Sequence, residues 1–210
     1  MRRKYPVGIE SFYDIRTGGY VYVDKTKYIY DLVDSGMYYF LSRPRRFGKS
    51  LLLSTMEEYF SGNRELFKGL AIEELDREWK SYPVLRLNLN GSITTEGKLI
   101  AILDHHLRRW EKKYGLDQPA SGEIDIRFSS CIEAAYEQTG EKVVVLVDEY
   151  EQPITDTLDN PELNQKHREI LRGFYGCLKP LNRYLRFVFM TGVSKIGKLS
   201  VFSSLNNIQD

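Results

Sequence analysis

The residues that could carry chemistry begin with a short loop that ends in Gly48-Lys49-Ser50. These three residues match the second half of the pattern G-x-x-x-x-G-K-[ST], in which a loop between a strand and a helix wraps the phosphates of a nucleotide. The first glycine of the pattern is missing, because Arg43 stands where it belongs. The loop could therefore be a working nucleotide site, a damaged one or a coincidence.

Each residue of this loop would have its own part in holding a nucleotide. Backbone N–H groups and the positive end of the following helix would hold the phosphates, and Gly48 would let the backbone approach them closely. Lys49 would reach the terminal phosphates, and the Ser50 hydroxyl would bind Mg²⁺. The predicted nucleotide-binding residues are Arg45, Arg46, Phe47, Gly48, Lys49, Ser50 and Leu51. The alternative is a chance tripeptide at the start of a helix.

Arg43 changes how the loop begins, but it removes no phosphate ligand. The first glycine of the pattern mainly serves the turn out of the strand, and a residue before proline already favours extended backbone. Because Pro44 follows Arg43, the chain can make this turn if Arg43 adopts an allowed conformation. The sequence therefore favours a working loop with an unusual start.

Two acids, Asp148 and Glu149, follow the apolar run 143–147. An enzyme with such a phosphate loop needs an aspartate at the end of a neighbouring strand to hold the Mg²⁺ shell. Asp148 fits this metal-binding role, and Glu149 fits the catalytic role of polarising the attacking water. The alternative is that acids at a strand end simply face solvent. The loop and the acids together are much less expected by chance than either alone.

Two further polar residues lie at predicted strand ends. Thr191 follows the run 187–190 and could orient water or touch the terminal phosphate, so we predict that it acts in catalysis with Lys49 and Glu149. Asn88 has a similar position in its own run. Each could equally be an ordinary polar residue at a strand end.

Apolar runs and segments of helical periodicity alternate along the chain. The predicted strands are 38–42, 84–89, 142–147 and 186–192, and the clearest predicted helices are 49–60, 99–114, 127–139 and 163–178. Residues 20–23 are a short β-like or extended piece before a helix capped by Asp24. Because the central strands are continuously apolar, we expect an α/β fold of the P-loop NTPase type, with a mostly parallel sheet and helices on both faces.

The composition is that of an ordinary globular protein. Of 210 residues, 42% are hydrophobic and 28% charged, and the formal net charge of +1 gives no global field that would attract nucleic acid or an acidic membrane. No run approaches the roughly 20 apolar residues of a membrane-spanning helix. Cys131 and Cys177 have neither a disulfide framework nor metal-ligand spacing. We therefore expect reduced thiols in a cytoplasmic protein.

Together these motifs resemble those of the bacterial AAA-ATPase-like family. The resemblance covers nearly the whole chain and is carried by 20–26, 41–54, 147–154 and 191–195. In that family an arginine at the start of the loop is the usual form. Its members typically continue into a domain that resembles a PD-(D/E)XK nuclease. The resemblance thus implies one P-loop domain over 1–210 that ends before a nuclease-like partner domain.

The leading prediction is a Mg²⁺-dependent module that binds and hydrolyses ATP and regulates a linked or partner domain. We expect slow turnover in isolation, because no second arginine finger or lid is recognisable. The alternative is a nucleotide-binding switch with little or no hydrolysis. Nucleic-acid binding is less favoured because Arg2-Arg3-Lys4 and the loop arginines form no basic stripe. A small-molecule kinase would need an acceptor pocket, and the sequence leaves the oligomeric state open.

Overall fold

The computed structural model describes residues 4–116 and 122–194, which form an α/β fold. Part of the predicted loop at 115–122, Lys195 and the chain end at Asp210 lie outside these residues. Within them, the strands of one sheet are β1 (Tyr38–Ser42), β2 (Val84–Asn88), β3 (Val143–Asp148) and β4 (Leu185–Gly192). The strands follow the chain in that order, but they do not lie in that order in the sheet.

Helices connect the strands and cover the sheet. They are α1 (Phe12–Thr17), α2 (Thr26–Ser35), α3 (Lys49–Phe60), α4 (Ala71–Leu75), α5 (Glu96–Lys113), α6 (Ile124–Thr139), α7 (Gln152–Thr155) and α8 (Pro161–Gly176), with short 3₁₀ turns at Arg64–Phe67 and Asn182–Tyr184. The longest of them, α5, has 18 residues. No helix in the described part of the chain is both long and apolar enough to cross a membrane.

The sheet has the strand order β1-β4-β3-β2, and every neighbouring pair is parallel. Parallel neighbours cannot be joined by a tight hairpin, so each connection must cross over the sheet, and a helix usually forms that crossover. The prediction of a mostly parallel sheet is therefore confirmed. The last strand along the chain, β4, is inserted between the first and the third.

Both faces of the sheet are covered because side chains alternate along each strand. Along β3, Val143, Val145 and Val147 pack in one core with α5, α6 and α8, whereas Val144 and Leu146 pack in the other with α2 and α3. All six residues of β3 are buried. This two-sided burial explains why the run is continuously apolar until Asp148, and it confirms the predicted helices on both faces.

Of the two predicted alternatives for residues 20–23, a β-like piece or an extended one, the structure excludes a strand of the sheet. Tyr22 instead packs its ring against Phe12, with ring centroids 5.0 Å apart, and its hydroxyl lies 3.5 Å from that of Thr55 on α3. The segment therefore crosses a helix face, where aromatic packing replaces a strand ladder. Asp24 precedes the N-cap residue of α2 by one position, and its carboxylate accepts the backbone N–H of Thr26 at 2.8 Å.

A buried ion pair joins α5 to α6. Arg127 on α6 donates two hydrogen bonds to Glu111 on α5, at 2.7 and 2.9 Å, and a third to Asp104 at 2.7 Å. Arg127 and Glu111 are only 8% and 4% exposed. A buried pair contributes little net stability when it is complete, but the removal of one partner leaves an uncompensated charge.

We expect Glu111→Ala to lower the free energy of unfolding by about 3 kcal/mol or more, because it leaves the Arg127 guanidinium partly unpaired inside the protein. Urea denaturation measures this loss. The matched control is Asp31→Ala, which breaks the exposed Lys27–Asp31 pair on α2 and should change the free energy by less than about 1 kcal/mol. Equal losses in the two variants would contradict the prediction.

Candidate nucleotide-binding site

The predicted site residues gather where the strands β1, β4 and β3 end. Because these strands are parallel neighbours, their carboxyl ends meet at one edge of the sheet, with Ser42 of β1 opposite Gly192 of β4. Asp148 ends β3 on the other side of β4. Ligands of open α/β sheets bind at this edge. Residues far apart in sequence are thus brought to one place by strand order alone.

The loop after β1 needs no glycine at position 43. The backbone N–H of Arg43 donates to the carbonyl of Gly192 at 3.1 Å, which extends the β1–β4 pairing by one residue. Its φ angle is not in the left-handed region, whereas Arg46 and Gly48 have φ of 67° and 76°. The prediction that Arg43 can adopt an allowed conformation is confirmed. The left-handed turn of the loop falls at Arg46 instead.

Gly48 begins α3 without a side chain that could cap the helix. The first N–H groups of a helix have no partner within the helix, so here they stay available to an anion. Ser50, in the first turn of α3, makes no side-chain hydrogen bond with any described residue. The start of α3 thus presents backbone N–H groups without a helical partner next to the hydroxyl of Ser50.

Lys49 is buried beneath the loop and is 6% exposed. Its Nζ donates to the carbonyl oxygens of Arg43 and Pro44 at 3.0 and 3.2 Å. A buried ammonium is unfavourable unless it is paired or hydrogen-bonded. The loop therefore satisfies Lys49 with neutral carbonyl groups, and an anionic oxygen would be a stronger partner.

The carboxylate of Asp148 is held by Thr191. The Thr191 hydroxyl donates to Oδ1 of Asp148 at 2.6 Å, and both side chains are almost completely buried. The two residues lie on adjacent strands, and a hydroxyl has only one proton to donate. That donation fixes the orientation of Asp148 and leaves its second oxygen, Oδ2, available.

Glu149 turns away from β3 with a φ angle of 54°, in the left-handed region that non-glycine residues rarely adopt. Its half-buried carboxylate makes no hydrogen bond with any described residue. Burial and then the Asp148 carboxylate raise the pKa of Glu149, although Lys49 and Arg45 act in the opposite direction. A free carboxylate with a raised pKa has the character of a general base.

A cleft of about 930 Å³ lies over this edge of the sheet. Its lining includes Arg45, Arg46, Gly48, Lys49, Ser50, Leu51 and Glu149. The predicted residues Phe47, Asp148 and Thr191 do not line the cleft: Phe47 is exposed, and the other two are almost completely buried. The volume is in the range of small-molecule sites. A second cavity, of about 130 Å³, lies among residues such as Tyr82 and Arg186 at the opposite edge of the sheet.

Three parts of the cleft wall were not predicted from the sequence. They are residues 7–10 near the amino terminus, residues 90–92 after β2, and Gln152 at the start of α7. Their polarity and glycine content match those of ordinary loops, so no local signal marks them. Asn88, which was considered, instead accepts the backbone N–H of Asn90 at 2.8 Å and shapes the turn after β2.

The acids are supported from below by a buried polar network between α7 and α8. On α8, Asn164 donates to the carbonyl of Ile154 at 2.7 Å, and Nδ1 of His167 lies 2.8 Å from the carbonyl of Pro153. Both of these α8 side chains are at least nine-tenths buried. The short helix α7, which could not form stably alone, is thus anchored directly after the acids.

Comparison with known proteins identifies the family of this chain. The sequence profile of a family described as predicted AAA-ATPases matches residues 6–202. The chain belongs to the AAA-ATPase-like family. It is also 42% identical over 215 residues to the uncharacterized protein in the vnfD 5′ region of Azotobacter chroococcum mcd 1, a match that covers 100% of this chain and 41% of that protein. The chain thus spans about two fifths of the length of this relative. No solved structure matches the chain.

In this AAA-ATPase-like chain we expect glycine to affect stability differently at two positions of the loop. Arg43→Gly should lower the free energy of unfolding by roughly 0.5–1 kcal/mol, because it only adds freedom to the unfolded chain. Arg46→Gly should be close to neutral, because relief of the left-handed strain, about 1–2 kcal/mol, offsets the same entropy. Urea denaturation of both variants tests this order, and a larger loss at position 46 would refute it.

The raised pKa of Glu149 predicts a pH-dependent effect on stability. Protonated Glu149 contributes stability that is fully present below its usual pKa of about 4.3 and is lost as the pH rises through the raised pKa of the folded state. Glutamine cannot lose this proton. Glu149→Gln should therefore be more stable than the parent chain at pH 7 to 8, and the difference should shrink toward pH 4.

Urea denaturation across this pH range measures the difference. The exposed Glu65 provides the control variant Glu65→Gln, for which no such trend is expected. A stability difference for Glu149→Gln that did not vary with pH, or that grew toward acid, would show that the carboxylate is not destabilised in the folded chain.

Proposed function

We propose that this chain is an ATP-binding module that hydrolyses ATP with Mg²⁺ and regulates a linked or partner domain. One observation carries the proposal: buried Lys49 and the uncapped start of α3 face the same cleft as Glu149, whose carboxylate has no hydrogen bond with a described residue. Donors for a polyphosphate and a base for water thus meet at one edge of the sheet. Membership in a family of predicted AAA-ATPases supports the same chemistry.

In this proposal the start of α3 binds the phosphates. The backbone N–H groups from Phe47 to Leu51 would hold phosphate oxygens, as helix N-termini do. Lys49 would exchange its two carbonyl partners for anionic oxygens, and the exposed Arg45 and Arg46 would add positive charge at the cleft wall. The remaining cleft, walled by residues 7–10, has room for the nucleoside.

The donor set fits Mg²⁺. This ion prefers hard oxygen ligands and is commonly bound by one or two protein groups together with substrate phosphates and water. Ser50 offers a hydroxyl that is free of hydrogen bonds with described residues, and Asp148 offers a carboxylate that Thr191 orients. When bound, Mg²⁺ would neutralise charge that develops on the phosphates.

Glu149 would activate the attacking water. Its carboxylate lines the cleft, and its pKa is raised by burial and by Asp148, which makes it a stronger proton acceptor than an exposed glutamate. Thr191 would act through Asp148, because it does not line the cleft. We expect turnover to be slow in isolation, since Lys49 must first leave the loop carbonyls.

The alternative function is a nucleotide-binding switch with little or no hydrolysis. The burial of Asp148, which does not line the cleft, favours this alternative, because a metal ligand must be reached by the metal. Regulation of a further domain rests on the resemblance of the motifs to a family whose members typically carry a nuclease-like domain. The 41% coverage of the relative is compatible with such an arrangement.

Lys49→Ala tests binding. We expect the dissociation constant for ATP with Mg²⁺ to rise at least about a hundredfold, or about 2.7 kcal/mol, because the variant loses the only lysine that lines the described cleft. Titration calorimetry measures this change. Lys27→Ala, which removes an exposed lysine on α2, is the control. An affinity within threefold of the parent would overturn the assignment of the loop.

Glu149→Gln tests hydrolysis. Glutamine keeps the shape of the side chain but cannot accept a proton, so we expect ATP affinity within threefold of the parent and a fall in phosphate release of about a hundredfold or more. Both quantities should be measured on one sample, with EDTA as the control for metal dependence. A parent chain that binds ATP but releases no phosphate would favour the switch, and equal rates would remove Glu149 from the mechanism.

A further inference from the structure

Glu151 is a buried acid for which the phosphate chemistry has no use. It precedes α7 as its N-cap residue, and it is 2% exposed. Its Oε1 accepts the backbone N–H groups of Val193 and Ser194, the latter at 3.1 Å. These two residues directly follow β4. A side chain from the turn after β3 thus holds the chain segment that leaves the neighbouring strand.

The other carboxylate oxygen of Glu151 lies against Gly192. A Cβ atom on Gly192 would collide with Oε2 of Glu151 and would approach Cε1 of Tyr150 to 2.7 Å. Oε2 is buried and has no hydrogen-bond partner among the described residues. The absence of a side chain at position 192 is therefore what lets the carboxylate reach the backbone beyond β4.

The last two residues of β4, directly before the residues that Glu151 holds, contact the loop after β1 and the turn after β3. The carbonyl of Gly192 accepts the N–H of Arg43 at 3.1 Å, where the phosphate loop begins. The carbonyl of Thr191 accepts the N–H of Tyr150 at 3.1 Å, between the two acids Glu149 and Glu151. The end of β4 thus joins the start of the loop to the turn that carries Glu149, and Glu151 holds the two residues that follow it.

A buried carboxylate at this place is unfavourable unless it is paired or hydrogen-bonded. Its negative charge acts on the nearby Glu149 carboxylate and contributes to the raised pKa of Glu149. Two backbone N–H groups bonded to a charged acceptor offset part of this cost, since such bonds are about twice as strong as neutral ones. An apolar residue would leave both N–H groups without this acceptor.

We propose that Glu151 is a positioning residue for hydrolysis. Its carboxylate, for which Gly192 leaves room, binds the segment 192–194 to the turn 148–151, and we call this contact the clamp. The clamp would hold Glu149 in place relative to the loop 43–48. The inference rests on the proposed function. Glu151 touches neither the nucleotide nor the attacking water. It acts through the backbone, so its loss should change turnover more than binding.

The test compares Glu151→Ala, Glu151→Gln and Gly192→Ala with the parent chain, with the exposed Glu65→Gln as the control. We expect Glu151→Ala to lower the turnover number at least about tenfold while ATP affinity stays within threefold, because Lys49 and the start of α3 are unchanged. Glu151→Gln keeps one oxygen acceptor and should recover most of the turnover. Gly192→Ala should behave like Glu151→Ala, because it pushes the carboxylate away.

Amide hydrogen exchange at Val193 and Ser194 measures whether their hydrogen bonds to Glu151 form, and it needs no nucleotide. We expect both amides to be protected in the parent chain and in Glu65→Gln, and to exchange faster in Glu151→Ala and Gly192→Ala. If Glu151→Ala does not fold, turnover and exchange in Gly192→Ala decide in its place. Unchanged exchange rates in Glu151→Ala and Gly192→Ala would overturn the clamp.

The outcomes separate this inference from the proposed function. A parent chain without ATP turnover removes the proposed hydrolysis, and with it the catalytic part of this inference, whereas the exchange rates still decide whether the clamp exists. A parent chain with turnover that Glu151→Ala leaves unchanged overturns the positioning role alone. Equal losses of affinity and turnover would mean that Glu151 only supports the fold.

Discussion

The position of β4 between β1 and β3 is the constraint on which the rest of the site depends. The phosphate loop leaves β1, and the acids leave β3, so neither group reaches the other except across the end of β4. Each cross-connection uses that end: Thr191 bonds to Asp148, and Gly192 bonds to the loop at Arg43. The fourth of these strands along the chain thus connects two parts of the site that come earlier in the sequence.

This arrangement concentrates negative charge where a fold would otherwise place apolar residues. Asp148 ends the fully buried strand β3, and Glu149 and Glu151 follow it within three positions. Two of them are held by donors, a hydroxyl and a pair of backbone amides, and the third has no hydrogen bond with a described residue. A neighbouring carboxylate disfavours the ionisation of a carboxyl group. Of the three acids, Glu149 has a left-handed backbone conformation and a raised pKa.

Local features of this chain could be predicted from its sequence, and non-local ones could not. The apolar run 38–42 predicts the bounds of β1, and Gly48 marks the start of α3. The parallel sheet is predicted by central strands that are apolar throughout. The clamp by Glu151 depends on residues 42 positions away. Nothing in the sequence distinguishes this acid from an exposed one, and residues 7–10 line the cleft only because the chain returns there.

The protein's own carbonyl groups must be part of the binding equilibrium at Lys49. Since Nζ already has two acceptors in the loop, a phosphate gains only the difference between an anionic and a neutral partner, not a whole new hydrogen bond. One of these carbonyls belongs to Arg43, whose N–H is bonded to Gly192. Release of Lys49 therefore frees the loop at the residue where it is tied to β4. If the proposed function holds, phosphate binding would be coupled to the end of β4 through Arg43, which stands where the usual loop has a glycine.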